Sequence, residues 1–280
     1  VGTRDSDIND ELTIGAQNNG GHKAYDGFID EVSAWGKELS ATEVQEIFNA
    51  GMALDCRDHS AFLGSNEITD GDFALASFAN WGKDGEDAWT FSGGKASVDS
   101  TATAGLSQTL SGVTAGKMYD VSFEISDYSY GALQFAHGRF NPWWGNVSGN
   151  GTYSYRTIAQ GSNPFAIYVY ANNTCKFSID NLSVKEVDLK GYWRNNGLDD
   201  WTDLSPHGND GDVKNAVVAD VIQLQEVPYF NKDTLGLPMN RVRERALNLD
   251  GGSYVTIDDS DDFNFGTTGF TIQAWVKTLL

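Results

Sequence analysis

The sequence is poor in cysteine and proline. It contains two cysteines, Cys56 and Cys175, and five prolines in 280 residues. Two thiols can form neither a disulfide framework nor a four-cysteine zinc site, which excludes disulfide-rich and zinc-finger domains. One bridge is the most they could form, and whether they pair stays open. Scarce proline together with 31 glycines is typical of many short strands joined by glycine turns.

Positive charge is also scarce. Lysine and arginine number 19 against 39 acidic residues, which gives a net charge of −20. A surface of this sign repels phosphate backbones and anionic membranes, so we expect neither nucleic-acid binding nor association with a lipid surface. No apolar run approaches the roughly 20 residues of a membrane span, so no membrane insertion is expected either. The acids lie mostly in loops, where they serve either as a solvated surface or as cation ligands.

Recognisable catalytic motifs are absent as well. The sequence contains no nucleophile elbow, phosphate loop or metalloprotease helix. Asp30 and Glu31 are successive in a strand and point to opposite faces, so they cannot act as a glycosidase pair. The histidines are far apart, near glycines or in linkers, and are predicted to lie at the surface: His22, His59, His137 and His207. We therefore predict that this chain is not an enzyme.

Hydrophobic patterning predicts an all-β chain with one short helix. Residues 28 to 35 alternate as a strand, and Ser40 with Glu43 forms a capping box that predicts a helix near residues 41–50. Between residues 66 and 187, short strands recur at the spacing of an antiparallel β-sandwich. In the strand around Val121, alternate residues are apolar, which predicts one buried face.

The two ends of the chain resemble one family. Residues 12–16, the strand at 27–32 and the following helix resemble the closing elements of a laminin-G-like (concanavalin-like) jelly roll. The C-terminal part of the chain resembles the opening elements of the same family, at residues 191–194, 201–211, 246–255 and 270–276. We interpret 1–55 as the C-terminal part of one such domain, 56–65 as a linker, 66–187 as a complete domain and 188–280 as the N-terminal part of another. On this interpretation the chain is part of a longer tandem array. Alternatively, the two end segments dock on each other.

The central domain resembles a different family. It is similar to the carbohydrate-binding modules of the galactose-binding-like jelly rolls. The similarity is carried by the pattern from Asn66 to Phe73, by Trp81 and Trp89, and by the strand from Phe177 to Val184. This resemblance implies a glycan ligand, and it implies that Trp81 and Trp89, which fall in the family's early strand pattern, are core residues. It also implies a structural calcium ion between the first and last strands, which maps to Asp72 and Asp180. The chain departs from the family at Ala74, where an acidic residue is common, and this weakens the calcium assignment.

Aromatic residues are dense between Tyr128 and Tyr155. Sugars stack on aromatic rings while amides and carboxylates bind their hydroxyls, so this segment is the candidate glycan site. We predict carbohydrate-binding residues at Trp143, Trp144, Tyr128, Tyr130, Asn141 and Asn146. Alternatively, the two tryptophans close one end of the sandwich as core residues. Tyr153 and Tyr155 share one strand face, so both belong either to the core or to the binding surface.

The sequence thus predicts a non-catalytic glycan-binding or adhesion segment of a modular surface protein or phage fibre. Its partners would be a polysaccharide or cell-surface glycan and neighbouring copies in an assembly, and its location extracellular or on a virion. Two alternatives stay open. One is a purely structural virion decoration protein, whose aromatic loop would be buried. The other is a set of accessory modules of a polysaccharide-degrading enzyme whose catalytic domain lies outside this sequence.

Overall fold

The computed structural model describes residues 11–16, 25–48, 54–84, 88–137, 140–141, 144–160, 165–194, 201–215, 221–223, 245–250, 252–265 and 269–278. The chain forms two compact units. The terminal unit combines Val1–Phe62 with Asp188–Leu280, and the central unit is Leu63–Val187. All strand pairings in the described part are antiparallel, which confirms the predicted all-β class.

The described elements are short strands with two long ones and a single α-helix, α1 (Ala41–Phe48). The strands are β1 (Leu12–Ile14), β2 (Asp26–Trp35), β3 (Leu63–Asn66), β4 (Gly82–Asp84), β5 (Trp89–Ser92), β6 (Lys95–Ser100), β7 (Ala104–Leu110), β8 (Met118–His137), β9 (Phe140–Asn141), β10 (Trp144–Val147), β11 (Gly151–Ala159), β12 (Phe165–Val187), β13 (Leu189–Trp193), β14 (Gly211–Lys214), β15 (Val221–Gln223), β16 (Arg245–Asp250), β17 (Tyr254–Ile257) and β18 (Thr271–Thr278).

Strand β2 organises the terminal unit. It pairs with β13 and β16 along one edge and with β18 along the other. A second sheet has the order β1, β17, β14. Strands from both ends of the chain therefore share hydrogen bonds within one compact unit. The physical reason is that β2 has two edges of unpaired backbone groups, and strands after the central unit satisfy both.

Two apolar clusters cover the two faces of β2. Val32 and Ala34 pack with residues of the second sheet, such as Val255. On the other face Trp35 packs with Ile47 of α1 and with Cys56. Because both faces are covered, β2 is buried along most of its length.

Helix α1 begins with the predicted capping box. The Ser40 backbone N–H donates to Glu43 Oε2 at 2.7 Å, and the Glu43 N–H donates to Ser40 Oγ at 3.3 Å. The helix ends at Phe48. Neither α1 nor any other helix in the described ranges is long and apolar enough to span a membrane.

Two histidines are buried, contrary to the predicted surface location. Nδ1 of His59 accepts a hydrogen bond from the Ala61 N–H at 2.9 Å, and its ring lies 5.0 Å from that of Trp35. The side chain of His207 is 3% exposed, with Nδ1 at 2.7 Å from Asp262 Oδ1. Polar partners hold both rings inside turns. The neighbouring glycines and linker residues, on which the predicted surface location was based, do not reveal these partners.

The long strands β8 and β12 form the centre of the other unit. They pair over most of their length, with β7, β6 and β3 along the far edge of β12 and β11 and β10 along that of β8. Trp81 and Trp89 are 4% and 3% exposed, so their predicted core location is confirmed. Tyr153 and Tyr155 also pack against this core, which decides between their two alternatives.

Both cysteines are buried free thiols. Burial raises the pKa of the Cys56 thiol to about 12. Burial likewise raises the pKa of Cys175. Each thiol therefore stays protonated and packs as a small apolar side chain.

Candidate functional site

A polar surface covers the outer side of strands β5, β6, β12 and β8. Strand alternation produces it, because Trp89, Val98 and Phe177 point into the core while their neighbours point outward. Cross-strand pairing then arranges the outward residues in two rows. One row contains Thr90, Ser97, Ser178 and Ser126, and the other contains Asp99, Lys176 and Tyr130.

A groove of about 390 Å³ runs along this surface. Its polar lining consists of Thr90, Ser97, Asp99, Asp127, Lys176 and Ser178. Ala88 adds a partly exposed methyl group, whereas Val98 and Phe177 border the groove with their side chains buried in the core. We call this feature the groove. Hydroxyl, carboxylate and ammonium groups beside apolar carbon are the combination that a polar ligand with some C–H surface requires.

Hydrogen bonds fix the side chains of the groove. Ser97 Oγ and Ser178 Oγ are 2.8 Å apart, and Lys176 Nζ donates to Asp99 Oδ2 at 2.7 Å. Lys95, from the adjacent end of β6, donates to Asp127 Oδ2 at 3.1 Å. The hydrogen bond from Lys95 holds the pKa of the Asp127 carboxyl below its usual value, so this group is ionised near neutral pH. The groove region thus contains two ion pairs.

Tyr130 lies on β8 next to Lys176, a residue of the groove. The two are cross-strand partners, and Tyr130 is 43% exposed. Tyr128 is fixed differently: its ring packs against the core, its hydroxyl donates to the Gly131 carbonyl at 2.9 Å, and its backbone N–H donates to Asn150 Oδ1 at 2.9 Å. Tyr128 therefore supports the turn, whereas Tyr130 presents its ring to solvent.

The other predicted site residues belong to the same unit. Trp143 lies outside the described residues. The backbone of Trp144 pairs with Phe135 and that of Asn141 pairs with Ile158, but their side chains lie outside the described part of the chain. Asn146 is exposed on β10. The structure therefore places Tyr128, Tyr130 and Asn146 on connected strands and leaves the tryptophan loop undescribed.

Sequence reasoning missed most of the groove. Lys176 is exposed between the core residues Cys175 and Phe177 on β12, which signals an outward polar face. Asp99, however, is 77 residues away from Lys176 in sequence. No local pattern indicates that these two residues are cross-strand neighbours.

The two candidate metal ligands interact with each other. Burial raises the pKa of the Asp180 carboxyl, and the negative charges of Glu124 and Asp72 act in the same direction. A backbone hydrogen bond of 2.9 Å from Leu182 to Gly71 joins the two segments. Among the described residues, however, no group of three or more His, Cys, Asp or Glu side chains is arranged to hold a metal ion. Two carboxylates alone are a sparse set for calcium, which takes six to eight oxygen ligands.

Comparison with known proteins gives structural likeness only. No family matches the sequence, and no curated protein matches it. The enzymatically active domain of tailspike protein 4 from bacteriophage CBA120 is 16% identical with a TM-score of 0.35, over 44% of this chain and 21% of that one. TmCBM61, solved in complex with β-1,4-galactotriose, is 16% identical with a TM-score of 0.32, over 43% of this chain and 98% of that one. A family 16 carbohydrate-binding module is 12% identical with a TM-score of 0.31, over 42% and 99%.

Carbohydrate-binding modules are therefore among the solved structures to which this chain is similar. The chain spans about a fifth of the tailspike domain. The central unit itself is an antiparallel β-sandwich that carries a polar groove next to an exposed tyrosine.

Proposed function

We propose that the central unit is a non-catalytic glycan-binding module. The observation that carries this proposal is the half-exposed ring of Tyr130 beside a groove lined by hydroxyls, carboxylates and an ammonium group. A pyranose ring presents an apolar C–H face and a rim of hydroxyls. Tyr130 would stack on the face, and the side chains of the groove would hydrogen-bond the rim.

The remaining predicted residues extend this proposed site. Trp143, Trp144 and Asn141 would enlarge the aromatic and amide surface, and the exposed Asn146 would bind hydroxyls beside it. Such a shallow site would bind a single glycan with a Kd on the order of micromolar to millimolar. Several copies in a surface or fibre assembly would supply avidity, which suits adhesion outside a cell or on a virion.

Replacing Tyr130 by alanine should weaken glycan binding about tenfold, because an aromatic stacking contact contributes about 1 to 1.5 kcal/mol. Affinity electrophoresis of the full chain in gels containing soluble polysaccharides, after a glycan-array screen, would measure this. A Trp143→Ala, Trp144→Ala double variant tests the tryptophan loop in the same gels.

Ile158→Ala is the matched control. Ile158 is also 43% exposed and belongs to β11 of the same unit, and it does not line the groove. Because its cross-strand partner is Asn141, it is a control for Tyr130 and the groove and not for the tryptophan loop. Equal retardation of the Tyr130→Ala and wild-type chains would contradict the proposed site. Absence of binding to every glycan would instead favour the structural virion protein.

We also propose that Asp72 and Asp180 bind a structural calcium ion. The support is the partial burial of the Asp180 carboxylate together with its repulsion by Glu124 and Asp72, which a divalent cation would offset. Calcium at a hundredfold excess over its Kd would add about 2.7 kcal/mol to the stability of the central unit. Thermal unfolding of the full chain with CaCl₂ or with EDTA measures the effect, and Asp180→Asn should abolish it. An unfolding temperature that does not change with calcium would contradict this assignment.

A further inference from the structure

We infer that the groove selects uncharged polysaccharides and that Asp99 and Asp127 are the residues that determine this selection. The inference rests on the proposed glycan-binding function and specifies its ligand class. It depends on the charge pairing within the groove and on the direction in which the hydroxyl row runs.

Each lysine at the groove is already paired with a carboxylate. Lys176 Nζ lies 2.7 Å from Asp99 Oδ2, and Lys95 Nζ lies 3.1 Å from Asp127 Oδ2. A uronate or sulfate group entering the groove would meet a lysine only together with its acidic partner. Asp99 and Asp127 are 59% and 66% exposed in their side chains, so their charge faces the incoming ligand. The net charge of −20 adds a long-range repulsion of polyanions.

The hydroxyl row suits an uncharged ligand that crosses the strands. Thr90, Ser97, Ser178 and Ser126 occupy four neighbouring strands, and at about 4.8 Å between strands the row spans about 14 Å. This length matches a short run of hexose rings. Ser178 is 3% exposed and its hydroxyl is bonded to that of Ser97, so Thr90, Ser97 and Ser126 are the hydroxyls of the row that a sugar can reach. A hydroxyl can both donate and accept a hydrogen bond, so these three can bind sugar hydroxyls of either role. Tyr130 borders the row at β8, where a ring could stack.

The experiment uses the full chain and two polysaccharides with closely related backbones, galactan and polygalacturonate. Wild type is expected to bind galactan and to show no measurable retardation by polygalacturonate. Asp99→Asn with Asp127→Asn keeps the shape of both side chains and leaves Lys176 and Lys95 without their acidic partners. This double variant should gain at least tenfold in affinity for polygalacturonate, and the gain should decrease with salt.

Asp258→Asn with Asp259→Asn is the matched control, because it changes the net charge equally at exposed residues of the terminal unit. It should show no such gain. If wild type binds polygalacturonate as tightly as galactan and loses both with Tyr130→Ala, the inference is overturned while the glycan-binding function stands. If the groove variant gains nothing over the control, the selective role of Asp99 and Asp127 is also overturned. If wild type binds no polysaccharide of either class, the proposed function itself fails.

Discussion

Replacing Glu31 by alanine should destabilise the terminal unit by about 3 kcal/mol, because the substitution breaks a buried ionic network. Glu31 is 2% exposed. Its Oε2 accepts a hydrogen bond from the Tyr192 hydroxyl, and its Oε1 accepts one from Arg194 Nε at 2.7 Å. Without the carboxylate, a partly buried guanidinium and a buried hydroxyl would lose their partner.

The expected cost lies at the lower end of the range for buried pairs. Burial raises the pKa of the Glu31 carboxyl, against the opposing effects of Tyr192 and Arg194. The network therefore compensates only part of the desolvation of Glu31. Arg194 also keeps 21% of its side chain exposed, so water can replace some of what it loses.

Tyr192→Phe provides the comparison for Glu31→Ala. It removes one hydroxyl from the same network and keeps the ring in the core, so we expect a loss of about 1 kcal/mol. Urea unfolding of the full chain, with hydrogen exchange read separately in the two units, would measure both losses. A cycle that combines the variants should show a coupling energy above zero. A smaller loss for Glu31→Ala than for Tyr192→Phe would mean that the ionic network does not stabilise the unit.

Local patterns predicted the elements of this fold well. The capping box of Ser40 and Glu43 and the buried face of the strand around Val121 depend on residues within a few positions of each other. Hydrogen bonding and side-chain alternation act over that range, so the sequence alone indicates them. The core location of Trp81 and Trp89 was implied instead by the strand pattern of the family that the central domain resembles, and both are buried.

Long-range pairing was not predictable in the same way. The register between Ser33 of β2 and Tyr192 of β13 joins residues on opposite sides of the central unit in sequence. Nothing in either strand indicates the other as its partner. The pairing between Lys176 and Asp99 has the same character, which is why the groove emerged only from the structure.

Glu31 shows a further limit of prediction from the sequence. Its φ of 51° lies in the left-handed region, which is rare for a residue other than glycine. Alternation in a regular strand predicted only that Asp30 and Glu31 point to opposite faces. Both are buried, because apolar clusters cover both faces of β2.

Alanine at Gly131 should destabilise the central unit by about 3 kcal/mol and weaken glycan binding at Tyr130. Gly131 has a φ of +94°, where an L side chain is strained, and an added Cβ would lie 2.4 Å from the Cβ and 2.6 Å from the Cα of Cys175. Because one of these contacts is with backbone, the neighbouring strand would have to shift. The Gly131 carbonyl accepts the Tyr128 hydroxyl, so the turn that presents Tyr130 would move as well.

Gly116→Ala separates the cost of backbone strain from the cost of the steric contacts made by the added methyl group. Gly116 has a φ of +82° and no atom within 4 Å of an added Cβ, so alanine there costs only the backbone strain of about 1 kcal/mol. Hydrogen exchange of the central unit and retardation by galactan, measured on both variants, would compare them. Equal losses of stability would mean that the turn absorbs the added methyl group without moving β12. Loss of stability in Gly131→Ala with unchanged glycan affinity would mean that the position of Tyr130 does not depend on this turn.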